Sequence, residues 1–217
     1  MLTVDIWSDV VCPFCYMGKR RFENALAGFE HREQVRITWH SFQLDPGARF
    51  SPGQTIHRYL AERKGITPEA SRRLHERLVA EAADLGLVYD FDAALIANTF
   101  DAHRLTHFAK ERGRQAAIEE RLFAAYFTQG KNIEDRSTLV ELAAAEGLDP
   151  EEAAAVLAGE RYAEEVRADV EQAQSLGADG VPFYVFNREY AVSGAQPSRL
   201  FLEVLKSLVP GAPAAAG

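Results

Sequence analysis

The chain's two cysteines stand three apart, as Cys12-Pro13-Phe14-Cys15, directly after a short apolar run. That run, Leu2-Thr3-Val4-Asp5-Ile6-Trp7, alternates and is β-branched enough to read as a strand. From Pro13 to Phe29 the residues Tyr16, Met17, Phe22, Leu26 and Phe29 recur at helical spacings. A dithiol at a strand-to-helix junction fixes the first two elements and the end that carries chemistry. The helix N-terminus stabilises a thiolate on the first sulfur, so Cys12 is expected to titrate below an ordinary thiol. The second sulfur, one turn on, can close a disulfide with it and release any mixed disulfide. Thiol–disulfide exchange needs those two parts.

Other uses of a cysteine pair fit less well. A zinc site takes four ligands, yet there is no second CxxC, and the nearest histidines, His31 and His40, form no close pair. A structural disulfide across one helical turn would constrain little of the unfolded chain. Pro13 sits where a helix start favours proline. No metal and no cofactor are expected.

The sequence has 217 residues, 47% apolar and 26% charged, the balance of a soluble globular protein. A net charge of −8 argues against nucleic acid or an acidic membrane surface as partner. No apolar run approaches membrane-spanning length. The first residues include Asp5 and Asp9 and lack the order of a signal peptide, so a cytoplasmic location is expected. A dithiol in that compartment cycles rather than staying oxidised.

Val35, Ile37, Trp39 and Phe42 mark a second strand, ended by Leu44-Asp45-Pro46-Gly47. From about Pro52 to Leu176 the pattern predicts helices with short connectors. Thr67-Pro68-Glu69 and Asp149-Pro150-Glu151 read as capped, proline-led helix starts. Gly65, Gly86, Gly113, Gly130, Gly147 and Gly177 fall near helix ends. Ile118, Leu122, Phe123, Tyr126 and Phe127 form one apolar helix face. Phe183–Phe186 and Glu189–Val192 then predict two strands about a turn at Asn187-Arg188, and Pro197 opens a last amphipathic helix. This is an α/β chain in which residues 1–50 and 176–210 form a core, 51–175 a helical insertion, and 211–217 a flexible tail.

With these motifs in view, the chain resembles the FrnE-like branch of the DsbA-type thioredoxin family over nearly its whole length. The markers are Ser8-Asp9-Val10-Val11-Cys12-Pro13-Phe14-Cys15, Phe42-Gln43-Leu44-Asp45-Pro46, Asn98-Thr99-Phe100-Asp101-Ala102-His103-Arg104, Gly180-Val181-Pro182-Phe183 and Ser193-Gly194-Ala195-Gln196-Pro197. The resemblance implies a thioredoxin-like fold with a large all-helical insertion domain and a disulfide oxidoreductase activity. It implies Cys12 as nucleophile, Cys15 as resolver and a cis Val181–Pro182 bond. Such a bond would bring its turn against the dithiol and leave the Val181 backbone free to pair with an extended substrate. Pro13, Phe14, Val181 and Pro182 are thus the expected substrate-binding set, for a disulfide-containing protein or a small thiol. Phe14 offers a sulfur anion neither charge nor hydrogen bond, which implies a weaker oxidant than DsbA itself.

Two departures bear on function. Some FrnE-like proteins carry a second cysteine pair near the C-terminus; this chain has none. The related kappa-class glutathione transferases and hydroxychromene-carboxylate isomerases have serine where Cys12 stands. They also carry an aspartate in the loop that here reads Ser193-Gly194-Ala195-Gln196-Pro197. A glutathione-dependent isomerase or transferase is therefore a competing class, and a non-redox partner of a biosynthetic complex is another. His103 and His107, spaced i, i+4, read as packing or as lining of an inter-domain groove, and Asn98 and His103 are candidates to face the dithiol. Lys19, Arg20-Arg21 and Arg72-Arg73 read as helix-surface cations, and Trp7, Trp39, Phe42, Phe183 and Phe186 as core.

Overall fold

β1 (Leu2–Ser8) is the strand on which the sheet is assembled. The computed structural model, which describes residues 1–209, pairs β1 in parallel with β2 (Val35–Ser41) and antiparallel with β3 (Phe183–Phe186). β4 (Tyr190–Ser193) pairs with β3, giving the order β2-β1-β3-β4. Glu189 N–H donates to Phe186 O at 2.9 Å across the turn between them, with Asn187 and Arg188 at φ 50° and 61°. Two positive φ values match the twist of the flanking strands. The expected tail at 211–217 lies outside the described residues.

Alternate strand residues serve opposite faces. Val4 and Ile6 of β1, with Tyr184 and Phe186 of β3, meet Phe22 of α1 (Pro13–Ala27) and Phe201 of α9 (Ser198–Ser207). Trp7, Phe183 and Val185 meet Ala173 of α8 (Ala163–Ser175) on the other side. Helices on both faces explain why β3 is an unbroken apolar run. β2 is an edge strand, and Gln115 of α5 (Gln115–Phe127) covers it. Its Nε2 donates to Trp39 O at 2.8 Å, and its Oε1 accepts from Trp39 N–H at 3.2 Å. Main-chain groups that a bare edge leaves open are satisfied there.

The helical block comprises α2 (Ile56–Lys64), α3 (Pro68–Ala83), α4 (Phe100–Glu111), α5, α6 (Arg136–Ala145) and α7 (Pro150–Ala158). Thr67 and Asp149 cap α3 and α7 through side-chain oxygens that accept first-turn N–H groups. Helix does not run throughout: residues 84–99 are irregular. Within that segment Leu87, Tyr89 and Phe91 are buried while Val88 and Asp90 are exposed. A two-residue alternation cannot face one side of a helix, and the stretch extends instead. α8 was expected at the end of the insertion, yet it lies on the sheet. We therefore propose to count it with the core.

Asp169 of α8 makes the joint between the halves. Its Oδ1 accepts from His40 Nδ1 at 2.7 Å, and its Oδ2 from Ser41 N–H at 2.8 Å and His107 Nε2 of α4 at 3.0 Å. Its main-chain oxygen accepts from Trp7 Nε1 at 2.9 Å. Burial opposes the charge, but the bonds from His107, His40 and Ser41 outweigh it and hold the carboxyl far below the usual range. A depressed folded pKa stabilises above the unfolded value of ~3.9 and is lost as pH falls toward the folded one. Asp169→Ala should therefore cost about 3–5 kcal/mol at pH 7 in urea unfolding. The gap from wild type should narrow as pH drops below ~3.9.

Candidate active site

Cys12 is the last residue before α1, with extended backbone at φ −88°, ψ 114°. Its carbonyl accepts from Cys15 N–H at 3.0 Å and Tyr16 N–H at 3.3 Å, and its own N–H donates to Asp9 O at 2.9 Å. Among the described residues no side chain caps α1. The Cys12 side chain itself therefore occupies the N-cap position, where the helix dipole favours an anion.

Cys12 and Cys15 are free thiols, both buried. Cys12 Sγ lies 3.6 Å from Val181 O. The Val181–Pro182 bond is cis. Gly18 permits the close approach of α1 to this loop: a Cβ there would stand 2.6 Å from Tyr184 Oη and 3.0 Å from Pro182 Cγ. Burial, then the adjacent Cys12, push the Cys15 thiol well up, against the Asp9 main chain and the Ser8 hydroxyl, which favour its anion. The two sulfurs are not equivalent.

A groove of about 680 Å³ opens beside the dithiol, a size suited to a small ligand. Cys12, Pro13, Phe14 and Val181 line one end; Cys15 lies outside it. The walls come from α2, α3 and the irregular segment, with Leu60, Leu78, Phe91 and Ile96 supplying apolar surface. Tyr89 Oη donates to Pro13 O at 2.7 Å and fixes the first turn of α1 against that segment. Tyr16 stacks on Phe123 of α5 at 4.8 Å, so the dithiol turn is seated in the aromatic core of the helical block.

Cations hold α1 in place rather than facing solvent. Lys19 is buried between Glu23 and Glu120 of α5, Arg20 also pairs with Glu120, and Arg21 reaches Glu81 of α3 at 2.6 Å. The expectation of freely solvated Arg20 and Arg21 is corrected here, because both find carboxylates on helices far along the chain. Arg72 likewise pairs with Asp92 at 2.8 Å.

Beneath the dithiol lies a buried acid–base group. Asp9 and His103 are each 1% exposed, with Oδ1 and Nε2 3.4 Å apart but not aligned as a hydrogen bond. Asp9 Oδ2 accepts from Leu44 N–H at 2.8 Å. Burial works against charge on His103, but Asp9, and more weakly Glu119, raise its pKa overall. Burial pushes the Glu119 carboxyl up to about 7, against the pull of His103 and Lys19. Ser8 Oγ, Asp9 Oδ1, both His103 ring nitrogens and Glu119 Oε2 have no hydrogen-bond partner among the described residues.

The structure thus brings Cys12, Pro13, Phe14 and Val181 together at one end of the groove, with Pro182 outside the lining against Gly18 of α1 and Cys15 behind. His103 does approach from the helical block, though toward Asp9. Asn98 does not: its Nδ2 donates to Pro46 O at 2.8 Å. His107 packs on Asp169 and Ser41. Sequence reasoning missed Glu119, Tyr89, His57, His75 and Gly18. Glu119 carried one signal, an acidic residue in the otherwise apolar stripe Ile118, Leu122, Phe123. Among the described residues no group of three or more His, Cys, Asp or Glu is placed to hold a metal ion.

Comparison with known proteins follows the same lines. Residues 3–206 match the family described as DSBA-like thioredoxin domain. The crystal structure of a probable DsbA oxidoreductase from Streptomyces coelicolor is 42% identical, with a TM-score of 0.90 and coverage of 100% of both chains. The cytosolic disulfide reductase DsbM from Pseudomonas aeruginosa shares the fold at 20% identity and a TM-score of 0.65, over 95% of this chain and 100% of that one. Protein YwbO of Bacillus subtilis is 30% identical over 149 residues, which is 67% of this chain and 66% of the relative.

The buried Glu119 carboxyl has a testable consequence. A carboxyl whose folded pKa is raised costs stability when ionised, and the cost is relieved as pH falls from the folded toward the unfolded value. With the folded value near 7, Glu119→Gln should be more stable than wild type by ~2–3 kcal/mol at pH 8. By pH 5 the advantage should shrink below ~1 kcal/mol. Urea melts across that range read it directly; a gap independent of pH would contradict a buried, titrating Glu119.

Proposed function

The chain belongs to the DSBA-like thioredoxin domain family, and we propose that it is a cytoplasmic thiol–disulfide oxidoreductase in which Cys12 attacks and Cys15 resolves. One observation carries the assignment of roles. Cys12 stands at the start of α1 and lines the groove, whereas Cys15 lies behind it with its proton held by burial.

The Cys12 thiolate attacks one sulfur of a substrate disulfide. A Cys12–substrate disulfide forms, the substrate S–S bond breaks, and the other substrate sulfur leaves as a thiolate. Cys15 then gives up its proton and attacks Cys12 Sγ, forming the Cys12–Cys15 disulfide and releasing the second substrate thiolate. Two electrons have passed from the dithiol to the substrate, and the reverse sequence oxidises a substrate dithiol. The departing substrate thiolate can take up the Cys15 proton, and the Asp9 main chain and the Ser8 hydroxyl favour the Cys15 anion as it forms. Val181 contributes main chain beside Cys12, where an extended substrate can pair.

Phe14, about half exposed, lends the thiolate no charge and no hydrogen bond, which suits reduction or isomerisation better than strong oxidation. The cytosolic disulfide reductase of Pseudomonas aeruginosa supports that direction and that compartment. Among the described residues no helix is long and apolar enough to cross a membrane. No cofactor is needed for the exchange, and a thiol-class reductant would recharge the dithiol.

Cys12→Ser should reduce insulin disulfides at less than about a hundredth of the wild-type rate, since the remaining thiol, Cys15, is buried and holds its proton. Cys15→Ser should instead accumulate a covalent adduct with its substrate, visible by mass and released by dithiothreitol. Appreciable turnover by Cys12→Ser would remove the nucleophile assignment. Glutathione-dependent activity in that variant would favour the isomerase or transferase class.

A further inference from the structure

The wall of the groove contributed by α3 holds a second set of polar groups, unrelated to the dithiol. His75 of α3 is 4% exposed and lines the groove, its ring stacked on Phe91 at 4.1 Å and 12°. His75 Nδ1 is 2.7 Å from Nδ1 of His57 on α2. His57 Nε2 is in turn 3.1 Å from Asp92 Oδ1, which Arg72 also holds at 2.8 Å. Four residues from three segments form one chain, from the protein surface inward to the groove.

Proton counting fixes what that chain presents. Asp92 can only accept, so with both rings neutral His57 donates from Nε2 and its Nδ1 is left as an acceptor. His75 must then donate from Nδ1, and its Nε2 becomes a bare lone pair. The opposite arrangement would set the lone pair of His57 Nε2 against a carboxylate. Among the described residues nothing bonds His75 Nε2. Burial, then His57, Lys64 and Arg72, against the pull of Asp92, push His75 down to about 4, so the lone pair stays bare at neutral pH. The groove is largely apolar, Leu74, Leu78 and Phe91 included, with Ser71, Lys64 and Arg77 among its polar lining.

We propose that His75 Nε2 is a dedicated hydrogen-bond acceptor that selects small, largely apolar disulfides or thiols bearing an O–H or N–H donor away from the sulfur. This rests on the oxidoreductase reading above, since the dithiol at the near end of the groove receives the sulfur. The Asp92–His57 pair positions His75 by fixing its tautomer. Ligands without the donor leave a buried acceptor unpaired, and that penalty is the source of discrimination.

The test compares two probe disulfides of similar shape, bis(4-hydroxyphenyl) disulfide and bis(4-methylphenyl) disulfide, in single-turnover reactions with pre-reduced protein and no added reductant. Each reaction converts one probe disulfide to two aryl thiols as the Cys12–Cys15 disulfide forms. The readout is the ratio of second-order rate constants, hydroxyl over methyl, after correction for the same ratio with dithiothreitol alone. Wild type should favour the hydroxyl probe by roughly 3- to 10-fold, the size of one hydrogen bond. His75→Phe should bring the ratio to about 1, the loss expected for that one bond. Asp92→Ala, at a largely exposed position, should lower it in part by releasing the tautomer, which a merely structural role for Asp92 would not do. Insulin reduction by wild type separates the two levels. If wild type reduces insulin but neither probe, shows no hydroxyl preference, or keeps that preference in both variants, the His75 subsite is wrong. If wild type reduces neither insulin nor probes, the oxidoreductase reading fails and the subsite with it.

Discussion

Asp9 is a carboxylate almost sealed from water, and three parts of the molecule meet on it. Its main-chain oxygen takes the Cys12 N–H, its Oδ2 takes Leu44 N–H from the stretch after β2, and its Oδ1 faces His103 on α4. Removing a carboxylate from water costs several kcal/mol unless partners compensate. The core strands and the helical block close together around this point. Asp169 repeats the arrangement on the α8 face, joining β2 to α4. Between these two buried carboxylates the insertion is seated on the sheet, and the dithiol falls at the seam.

That placement shapes the chemistry. The first turn of α1 presses into the helical block's aromatic core, so Cys15 is surrounded by protein. Cys12, three residues earlier and at the helix start, borders the groove. One thiol is thereby offered to a ligand and the other is held as an acid behind it, although the two residues are chemically identical. The irregular segment serves both ends of this arrangement, because Tyr89 fixes the first turn of α1 while Phe91 and Ile96 line the groove. A bare dithiol at the tip of a sheet would have the exchange chemistry without a pocket to select a partner.

Much of this was legible in the chain. The CxxC between a strand and a helix, the proline-led helix starts at Thr67 and Asp149, and the turn at Asn187-Arg188 each follow from local physics, and the structure has them. The stretch at 84–99 was read as helix, because Leu87, Tyr89 and Phe91 are an apolar set whose alternation shows only once a partner surface is known. Arg20 and Arg21 read as solvated because their carboxylates, on Glu120 and Glu81, lie 100 and 60 positions away. The His57–His75 pair was invisible for the same reason: eighteen residues separate the two rings, and only the packing of α2 on α3 brings them together. Long-range electrostatic pairing leaves no periodic trace in one sequence, whereas helix starts and turns do.

The central claim is the division of labour between two thiols one helical turn apart. Alkylation of the reduced protein with iodoacetamide across pH 5 to 10, with each cysteine followed separately by peptide mass, tests it most directly. Cys12 should react first, while Cys15 stays protected until well above the ordinary thiol value of ~8.5. Equal rates at the two cysteines, or Cys15 reacting first, would contradict the account.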